Sequence, residues 1–479
     1  MHATTTRPKI TVTADGAGVV SHAGSRLLAD IAQVSGLDDG FDVVASMGRK
    51  RRSAHSPGRV LTDLAVTLAD GGETISDLAV LREQPALFGP VASTPTAWRV
   101  LAGVDAEDLA GLRAARAGAR ERIWLARAEL RGSDQALPVV RAGGRSWPGL
   151  VIDIDATLVT CHSEKESAAA NFKGGFGYHP VLAFLDNTNE ALAGILRPGN
   201  AGANTAADHI AVTDLALAQI PDHERHGAPI LVRADGAGAT KAWLHHLHAL
   251  RHAPDGPGLL VDYSIGFTMT DQVQAAILAL PEWAWTPAVR TDGKLRDGAD
   301  VAELTGVLAR HGLDLAANGW PPGIRVIVRR ERPHPGAQLT FSDVHGYRFQ
   351  TFATSTKVGQ LAALEARHRA HVRVEDRIRT GKDTGYGRFP SRSFAINTVW
   401  LELALAAADL LAWTQTMLLD GDLAAAEPKK LRYRLLHVAA RITRGQRRIW
   451  IRLPASWPWA RELAAAFQQL RAIPPPARP

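Results

Sequence analysis

The sequence predicts an α/β protein built on one mixed sheet, with a helical region before it and a basic region after it. The 479 residues are 46% hydrophobic and 22% charged, which is typical of a soluble globular chain and excludes extensive disorder. Aliphatic and β-branched runs bounded by Gly and Pro alternate with amphipathic runs between residues 149 and 267. The 52 residues from Pro428 onward carry twelve Lys or Arg and one acidic residue, although the whole chain has a net charge of only +7.

The order of the predicted strands defines the type of sheet. Residues 149–160, 178–187 and 191–200 are predicted as three adjacent strands joined by short turns. Two further strands, at 229–235 and 258–267, are each preceded by a predicted helix, at 205–220 and 240–250. A three-strand meander followed by helix-linked parallel strands is the ribonuclease-H-like order. We therefore expect a ribonuclease-H-like core in two parts, residues 148–267 and 353–420.

Residues 1–147 are predicted to be a helical DNA-binding region. Ser56 and Pro57 form a helix start, and a long helix is predicted from Ala106 to Arg131. Two short helical segments, at 73–81 and 94–103, flank a break that contains Pro and Gly. They fit a helix-turn-helix motif whose second helix presents Trp98 and Arg99 to DNA, and an ordinary pair of packed helices fits the pattern as well.

Residues 268–352 are predicted to form a β-rich insertion, because the alternation of strand and helix stops there. Segments 324–332, 337–344 and 347–354 have strand composition. Trp283 and Trp285 lie in an apolar context inside this insertion, which favours a place in its core. A helix resumes at Gln360, and the apolar stretch 395–418 carries acidic residues within it, which favours a buried helix over a membrane span.

The C-terminal region, residues 421–479, is predicted to be a basic helical tail. Arg441, Arg444, Arg448 and Arg452 follow the spacing i, i+3, i+7, i+11 and would share one face of a helix. Such a face suits contacts with DNA phosphates, which release counterions and carry no sequence information. A solvated surface helix is the alternative interpretation.

Four acidic residues form the candidate reaction centre. Asp153 and Asp155 lie two apart on one predicted strand and project from the same face, Asp235 ends another strand, and Glu375 lies on a helix after the insertion. Carboxylates brought together in this way can hold two Mg²⁺ ions, or Mn²⁺, which activate water and stabilise the leaving oxygen of a phosphodiester. The two other acidic residues that could supply the helical carboxylate are Glu365 and Asp376.

At this point the chain resembles the DDE transposases of bacterial insertion sequences, in particular insertion-sequence family thirteen-eighty in its actinobacterial branch. The resemblance covers nearly the whole chain, and its carrying segments are 151–159, 172–204, 230–240, 325–339, 372–403 and 429–442. It implies that Asp155, Asp235 and Glu375 are the catalytic, metal-binding triad. Asp153 is then a partner of the groups that hold the metals.

The resemblance also implies roles for cations around the helical glutamate. Related transposases have Tyr and Arg before this Glu and Lys after it, whereas this chain has His368, His371 and Lys382. With Arg379, these side chains are expected to share one helix face with the glutamate and to contact DNA. The implied partners are double-stranded DNA, as transposon terminal inverted repeats and as target, and a second copy of the chain in a homodimer. The resemblance also implies, as the alternative to a core position, that Trp283 or Trp285 stacks on a base flipped out of the transposon end.

Two alternative functions follow from the residues. The segment DIDATLV also matches the nucleophile motif of haloacid-dehalogenase-like phosphatases, in which Asp153 attacks phosphorus and Asp155 is the general acid. About 150 residues precede the motif here, although it normally opens that fold. The other alternative, a catalytically dead transposase-derived DNA-binding protein, is disfavoured by the intact triad. The single cysteine, Cys161, excludes an intramolecular disulfide, and with no apolar N-terminal run we expect a cytoplasmic, nucleoid-associated protein without membrane contact.

Overall fold

The computed structural model describes residues 11–46, 54–132, 137–161, 164–252, 258–333, 336, 343–445 and 448–474. The basic cluster at 49–52, most of the predicted strand 337–344, and Arg447 lie outside these residues.

The N-terminal region is helical. After the short strand β1 (Val19–Val20) it contains α1 (Arg26–Val34), α2 (Leu37–Ser46), α3 (Pro57–Ala69), α4 (Ala79–Arg82), α5 (Pro85–Phe88), α6 (Thr94–Ala102) and α7 (Ala106–Arg131). The Ser56 side chain caps α3 by accepting a hydrogen bond from the amide of Arg59 at 3.4 Å, which confirms the predicted helix start. The predicted helix 106–131 is also confirmed.

The central segment contains most of the strands. They are β2 (Val140–Ala142), β3 (Arg145–Trp147), β4 (Leu150–Ala156), β5 (Val159–Thr160), β6 (Ala169–Ala170), β7 (Phe176–Tyr178), β8 (Val181–Leu185), β9 (Ala191–Ile195), β10 (Ile230–Ala234) and β11 (Val261–Gly266). The helices between them are α8 (Ala206–Ala218), α9 (Asp222–Gly227) and α10 (Lys241–Ala249). The three-strand meander and the helix-linked strands are therefore present as predicted.

The remaining elements complete the chain. They are α11 (Asp271–Leu278), β12 (Thr286–Val289), β13 (Leu295–Glu303), α12 (Thr305–Leu308), β14 (Arg325–Glu331), β15 (Arg348–Thr354), α13 (Leu361–Arg369), α14 (Arg373–Gly381), α15 (Phe394–Leu418), α16 (Gly421–Ala424), α17 (Pro428–Leu431), β16 (Ala440–Gly445), β17 (Arg448–Arg452) and α18 (Ala460–Ala472).

Nine strands form one mixed sheet in the order β12-β13-β14-β15-β11-β10-β4-β8-β9. The half β11-β10-β4-β8-β9 has the predicted order: β10 runs parallel to β4 and β11, while β8 is antiparallel to β4 and β9. The strands from the 268–352 region do not build a sheet of their own. They continue the same sheet, because β15 pairs antiparallel with β11 and extends its free edge.

Helix α15 is the central helix of the core and packs against α3, α7 and β9. Among the described helices it is the one long and apolar enough to cross a membrane by length and composition, and 78% of its most apolar window is buried inside the protein. Its two acidic residues, Glu402 and Asp409, pair with arginines of α7: the buried Arg116 lies 2.8 Å from Asp409, and the half-buried Arg113 lies 3.0 Å from Glu402. These charges therefore join the N-terminal region to the core.

The predicted helix-turn-helix is not present in its expected form. Such a motif has a turn of about three or four residues. Here α4 ends at Arg82 and α6 begins at Thr94, and a third helix, α5, lies between them.

Candidate active site

Asp155 and Asp235 lie side by side on adjacent parallel strands. The register pairs Ile154 of β4 with Ala234 of β10; Asp155 is the next residue of β4, and Asp235 directly follows β10. Neighbouring strands are about 4.8 Å apart, and in-register side chains of parallel strands point to the same face. The carboxylate of Asp235 also accepts the amide of Ala237 at 3.0 Å, which holds the turn after the strand.

Glu375 lies on α14 and faces the same cavity as Asp155. This cavity has a volume of about 520 Å³, and its lining includes Asp155, Glu375, Lys382 and Lys429. The carboxylates of its two rivals are already in ion pairs. Glu365 is buried, with its carboxylate 2.9 Å from Arg369 and 3.2 Å from Arg329. The exposed Asp376 pairs with Arg379 at 3.1 Å.

The pKa of Asp155 depends on both of the other carboxylates. Burial, and after it the negative charges of Asp235 and Glu375, raise the pKa of Asp155 from 3.8 to about 6, against the opposing effects of His371 and the amide of Ala156. A buried carboxylate that shares its surroundings with two like charges is destabilised in its ionised form. A cation at this position would relieve that repulsion.

The donor set suits hard divalent cations. The three side chains offer only carboxylate oxygens, which Mg²⁺ and Mn²⁺ prefer. Their oxygens do not all lie within 4.8 Å of one another. This spacing is too wide for one ion held by all three carboxylates at once.

Both carboxylate oxygens of Asp153 accept hydrogen bonds from basic side chains. Its side chain is 0% exposed, and its oxygens accept hydrogen bonds from Arg233 at 2.7 and 2.8 Å, from Arg377 at 2.8 Å and from His371 at 2.9 Å. Burial opposes ionisation, but Arg233 and His371 outweigh it and hold the pKa of Asp153 far below its usual range. An aspartate without a free oxygen or solvent access cannot attack phosphorus, so the structure gives the phosphatase hypothesis no support.

The arginines around Asp153 also fix the helix that carries Glu375. Arg377 donates to Asn189 at 2.9 Å and binds Asp186, and Arg373 lies 3.0 Å from Asp186. Arg373 and Arg377 are two residues before and two residues after Glu375. Their ion pairs with Asp186 and Asp153 therefore set the position of Glu375 relative to Asp155.

The expected cationic face before Glu375 is wrong at its first two positions. His368 is half-buried and stacks on Phe352 with ring centroids 4.4 Å apart, and its Nδ1 lies 3.1 Å from Ser264. Desolvation lowers the pKa of His368 to about 3, so it is neutral and adds no positive charge to a phosphate contact. His371 is buried and bonded to Asp153, because a 3₁₀ turn at Ala370–Val372 interrupts the helix and breaks the predicted periodicity.

Arg379 and Lys382 do line the cavity with Glu375. Arg379 is exposed but is paired with Glu427 at 3.0 Å as well as with Asp376. Lys382 donates from Nζ to the carbonyl of Leu158 at 2.9 Å, and burial lowers its pKa. Both remain within reach of a bound phosphate, although Arg379 would have to exchange partners.

The four tryptophan and arginine residues proposed from the N-terminal region and the insertion lie at the surface to different degrees. Trp98 is 49% exposed, and Arg99 beside it is exposed on α6. Trp283 is 85% exposed, so the core interpretation is wrong for this ring. Trp285 is partly buried, with the Arg330 guanidinium 4.4 Å above its ring.

The predicted helix for the tail arginines is wrong. Residues 440–445 and 448–452 form the antiparallel pair β16 and β17, because Ile442, Thr443, Ile449 and Trp450 favour a pleated strand. The register pairs Arg441 with Arg452 and Gly445 with Arg448, so these arginines share one face with Trp450. Arg444 pairs with Ile449 and projects from the opposite face.

Sequence reasoning missed the charged layer below the site. Arg233, Asp186 and Arg377 are buried, and together they hold Asp153 and α14. The signal was present: Arg233 interrupts an aliphatic strand two residues before Asp235, and a charge in such a position is rarely buried without a partner. Lys429, in the basic C-terminal region, was not assigned to the cavity, and it lies there paired with Asp383 at 2.9 Å.

The chain matches a known protein family and is similar to solved structures. A family model described as transposase DDE domain group 1 matches residues 2–475. A structure titled "Cryo-EM structure of piggyBac transposase synaptic complex with hairpin DNA (SNHP)" is similar over 87% of this chain and 79% of that one, at 9% identity and a TM-score of 0.39. None of the curated proteins matched.

Proposed function

The chain belongs to the group 1 transposase DDE-domain family, and from this membership we propose that Asp155, Asp235 and Glu375 are its catalytic carboxylates. The chain is thus a DNA transposase. Our proposal assigns the residues of its reaction centre, the ions that they hold and the surface that meets DNA. It also places the protein in insertion-sequence family thirteen-eighty and its actinobacterial branch.

The observation that carries the assignment is the convergence of the three carboxylates: the register of β4 and β10 sets Asp155 beside Asp235, and Glu375 lines the same cavity as Asp155. The raised pKa of Asp155 fits this arrangement. We assign two Mg²⁺ or Mn²⁺ ions to the three carboxylates. Such ions, when bound, activate the attacking oxygen and neutralise the leaving oxygen of a phosphodiester. The protein's part is to hold Asp155 and Asp235 in register on the sheet and Glu375 opposite them on a helix fixed by Arg373 and Arg377.

We propose that DNA phosphates contact basic side chains at the edge of the cavity and on the hairpin of β16 and β17. Lys382 and Lys429 line the cavity itself. The hairpin face of Arg441, Arg448 and Arg452 is exposed and suits sequence-independent phosphate contacts. We further propose a homodimer, because cut-and-paste transposition requires both transposon ends to be held together.

The assignment of Glu375 is tested by counting bound Mn²⁺ on the full-length chain by isothermal titration calorimetry. We expect two ions per chain for the wild type and loss of at least one for Glu375→Gln. The matched control is Asp376→Asn, which removes the neighbouring exposed carboxylate and should leave the stoichiometry unchanged. If Asp376→Asn loses an ion and Glu375→Gln does not, the helical ligand has been misassigned.

A further inference from the structure

A second cluster of metal-ligating side chains lies outside the carboxylate site. His22 Nδ1 is 2.6 Å from Oδ2 of Asp70, and His437 Nε2 is 3.1 Å from Oδ1 of the same carboxylate. One donor atom from each residue lies within 4.8 Å of the other two. Among the described residues, this is the one set of three or more His, Cys, Asp or Glu side chains with that property.

The three residues come from distant parts of the chain. His22 follows β1, Asp70 caps the C-terminal end of α3, and His437 lies three residues before β16. Because β1 pairs with β16 through Val19 and Arg441, the cluster lies at the base of the basic hairpin. A bond between these side chains joins both terminal regions to α3.

The cluster has a fixed anionic centre and an open side. The Asp70 side chain is 4% exposed, whereas those of His22 and His437 are 24% and 37% exposed. The Ser25 hydroxyl also donates to the Asp70 carboxylate and fixes its orientation. The nearby Arg432 directs its donors to the carbonyls of Ala69 and Leu68 and to Thr384.

We propose that His22, Asp70 and His437 bind one Zn²⁺ ion, with water as the fourth ligand. Two imidazoles and one carboxylate are a donor set that favours zinc over Mg²⁺, so this site is chemically distinct from the carboxylate site. Tetrahedral bonds of about 2.0–2.1 Å place donor atoms about 3.3 Å apart. The His22–Asp70 and His437–Asp70 pairs, at 2.6 and 3.1 Å, would therefore separate by less than about 1 Å to admit the ion. His437 Nε2 would also exchange its 2.9 Å contact with the peptide oxygen of Asp70 for the ion.

The bound ion would have a structural role, because it would hold the hairpin of β16 and β17 against β1 and α3. His22 follows β1, which pairs with β16, and His437 lies three residues before β16. A zinc ion bound to both histidines would therefore cross-link β1 to the start of the hairpin. Binding that requires the folded arrangement stabilises it. The hairpin face that carries Arg441 and Arg452 would then be held rigidly beside the N-terminal helices.

The test uses the full-length chain, stripped of metal and then kept in millimolar Mg²⁺ so that the carboxylate site is occupied. Titration with Co²⁺, a spectroscopic substitute for zinc, should give one equivalent of intense visible absorption typical of a tetrahedral site, and Zn²⁺ should displace it. The same Zn²⁺, at about a hundred times its dissociation constant, should raise the melting temperature by about 2–3 °C.

Two conservative variants separate zinc binding from hydrogen bonding. His437→Gln and His22→Asn keep a donor at the position of the bonded ring nitrogen but remove the imidazole, and each should lose the absorption and the thermal shift. The control is His246→Gln, because His246 is 2.7 Å from Asp214 in a surface pair and lies outside the cluster. Absence of tetrahedral absorption in the wild type overturns the proposal, as does its persistence in His437→Gln.

Discussion

The ionised Asp155 carboxylate is needed to bind the proposed metal ions, but without a metal its charge destabilises the folded chain. Its pKa of about 6, against 3.8 ordinarily, means that the ionised carboxylate destabilises the folded chain when no cation is bound. Each pH unit between the two values corresponds to about 1.4 kcal/mol, so the cost approaches about 3 kcal/mol above pH 6. Asp155→Asn cannot ionise and should therefore stabilise the metal-free protein by up to this amount.

The sign of the effect fixes its pH dependence. Because the folded-state pKa is raised, the folded chain binds more protons than the unfolded chain between pH 3.8 and about 6, and stability is lost as pH rises through that window. The advantage of Asp155→Asn should be complete at pH 7.5 and fall to about a third at pH 4.5.

Thermal melting in EDTA is the assay. For a chain of this length, about 3 kcal/mol corresponds to a rise of about 3 °C in melting temperature at pH 7.5. Adding Mn²⁺ should raise the melting temperature of the wild type and leave that of Asp155→Asn nearly unchanged. The control Asp376→Asn should melt like the wild type. A wild type as stable in EDTA at pH 7.5 as Asp155→Asn would refute the electrostatic reasoning.

Three further predictions concern residues around the site. Asp153→Asn should lower the free energy of unfolding by about 3–5 kcal/mol, measured in urea, because it leaves buried arginines without their carboxylate, and the folded fraction should still cleave DNA; complete loss of cleavage in folded protein would contradict this. Trp283→Ala should leave stability unchanged and slow second-strand processing at transposon ends, measured by product gels; an equal loss of first-strand nicking would argue against base stacking. The double variant Arg448→Ala/Arg452→Ala should weaken the binding of specific and non-specific DNA alike and reduce the slope of log K against log salt by about 0.9 per lost phosphate contact. Arg444→Ala, on the other face of the hairpin, is the comparison. An unchanged slope would exclude this surface as a DNA contact.

The central part of the fold could be predicted from the sequence because its signals are local. The aliphatic run that contains Asp153 and Asp155 has the composition of a buried strand, and Asp105 and Gly132 mark the ends of the helix at 106–131. Strand order then followed from the alternation of elements. The same order brought Asp155 and Asp235 to neighbouring strand ends without further information.

The errors arose where tertiary contacts decide between local alternatives. Arginines at 441, 444, 448 and 452 fit a helix face, but the isoleucine and tryptophan residues between them pair across a hairpin. His368 and His371 fit an exposed helix face, but His368 stacks on Phe352, and the 3₁₀ turn at Ala370–Val372 places His371 against the buried Asp153. The buried partners of Asp153 could not be inferred either, since Arg233 and Arg377 lie 80 and 224 residues away in sequence.

Strand cleavage of the DNA that flanks the protein's own gene tests the central claim most directly. With Mg²⁺ or Mn²⁺, the wild-type chain should nick the transposon end and join the freed 3′-OH to target DNA. Asp155→Asn, Asp235→Asn and Glu375→Gln should each abolish both steps while DNA binding in a gel-shift assay persists. Cleavage by any of the three variants at the wild-type rate would contradict the assignment of the triad.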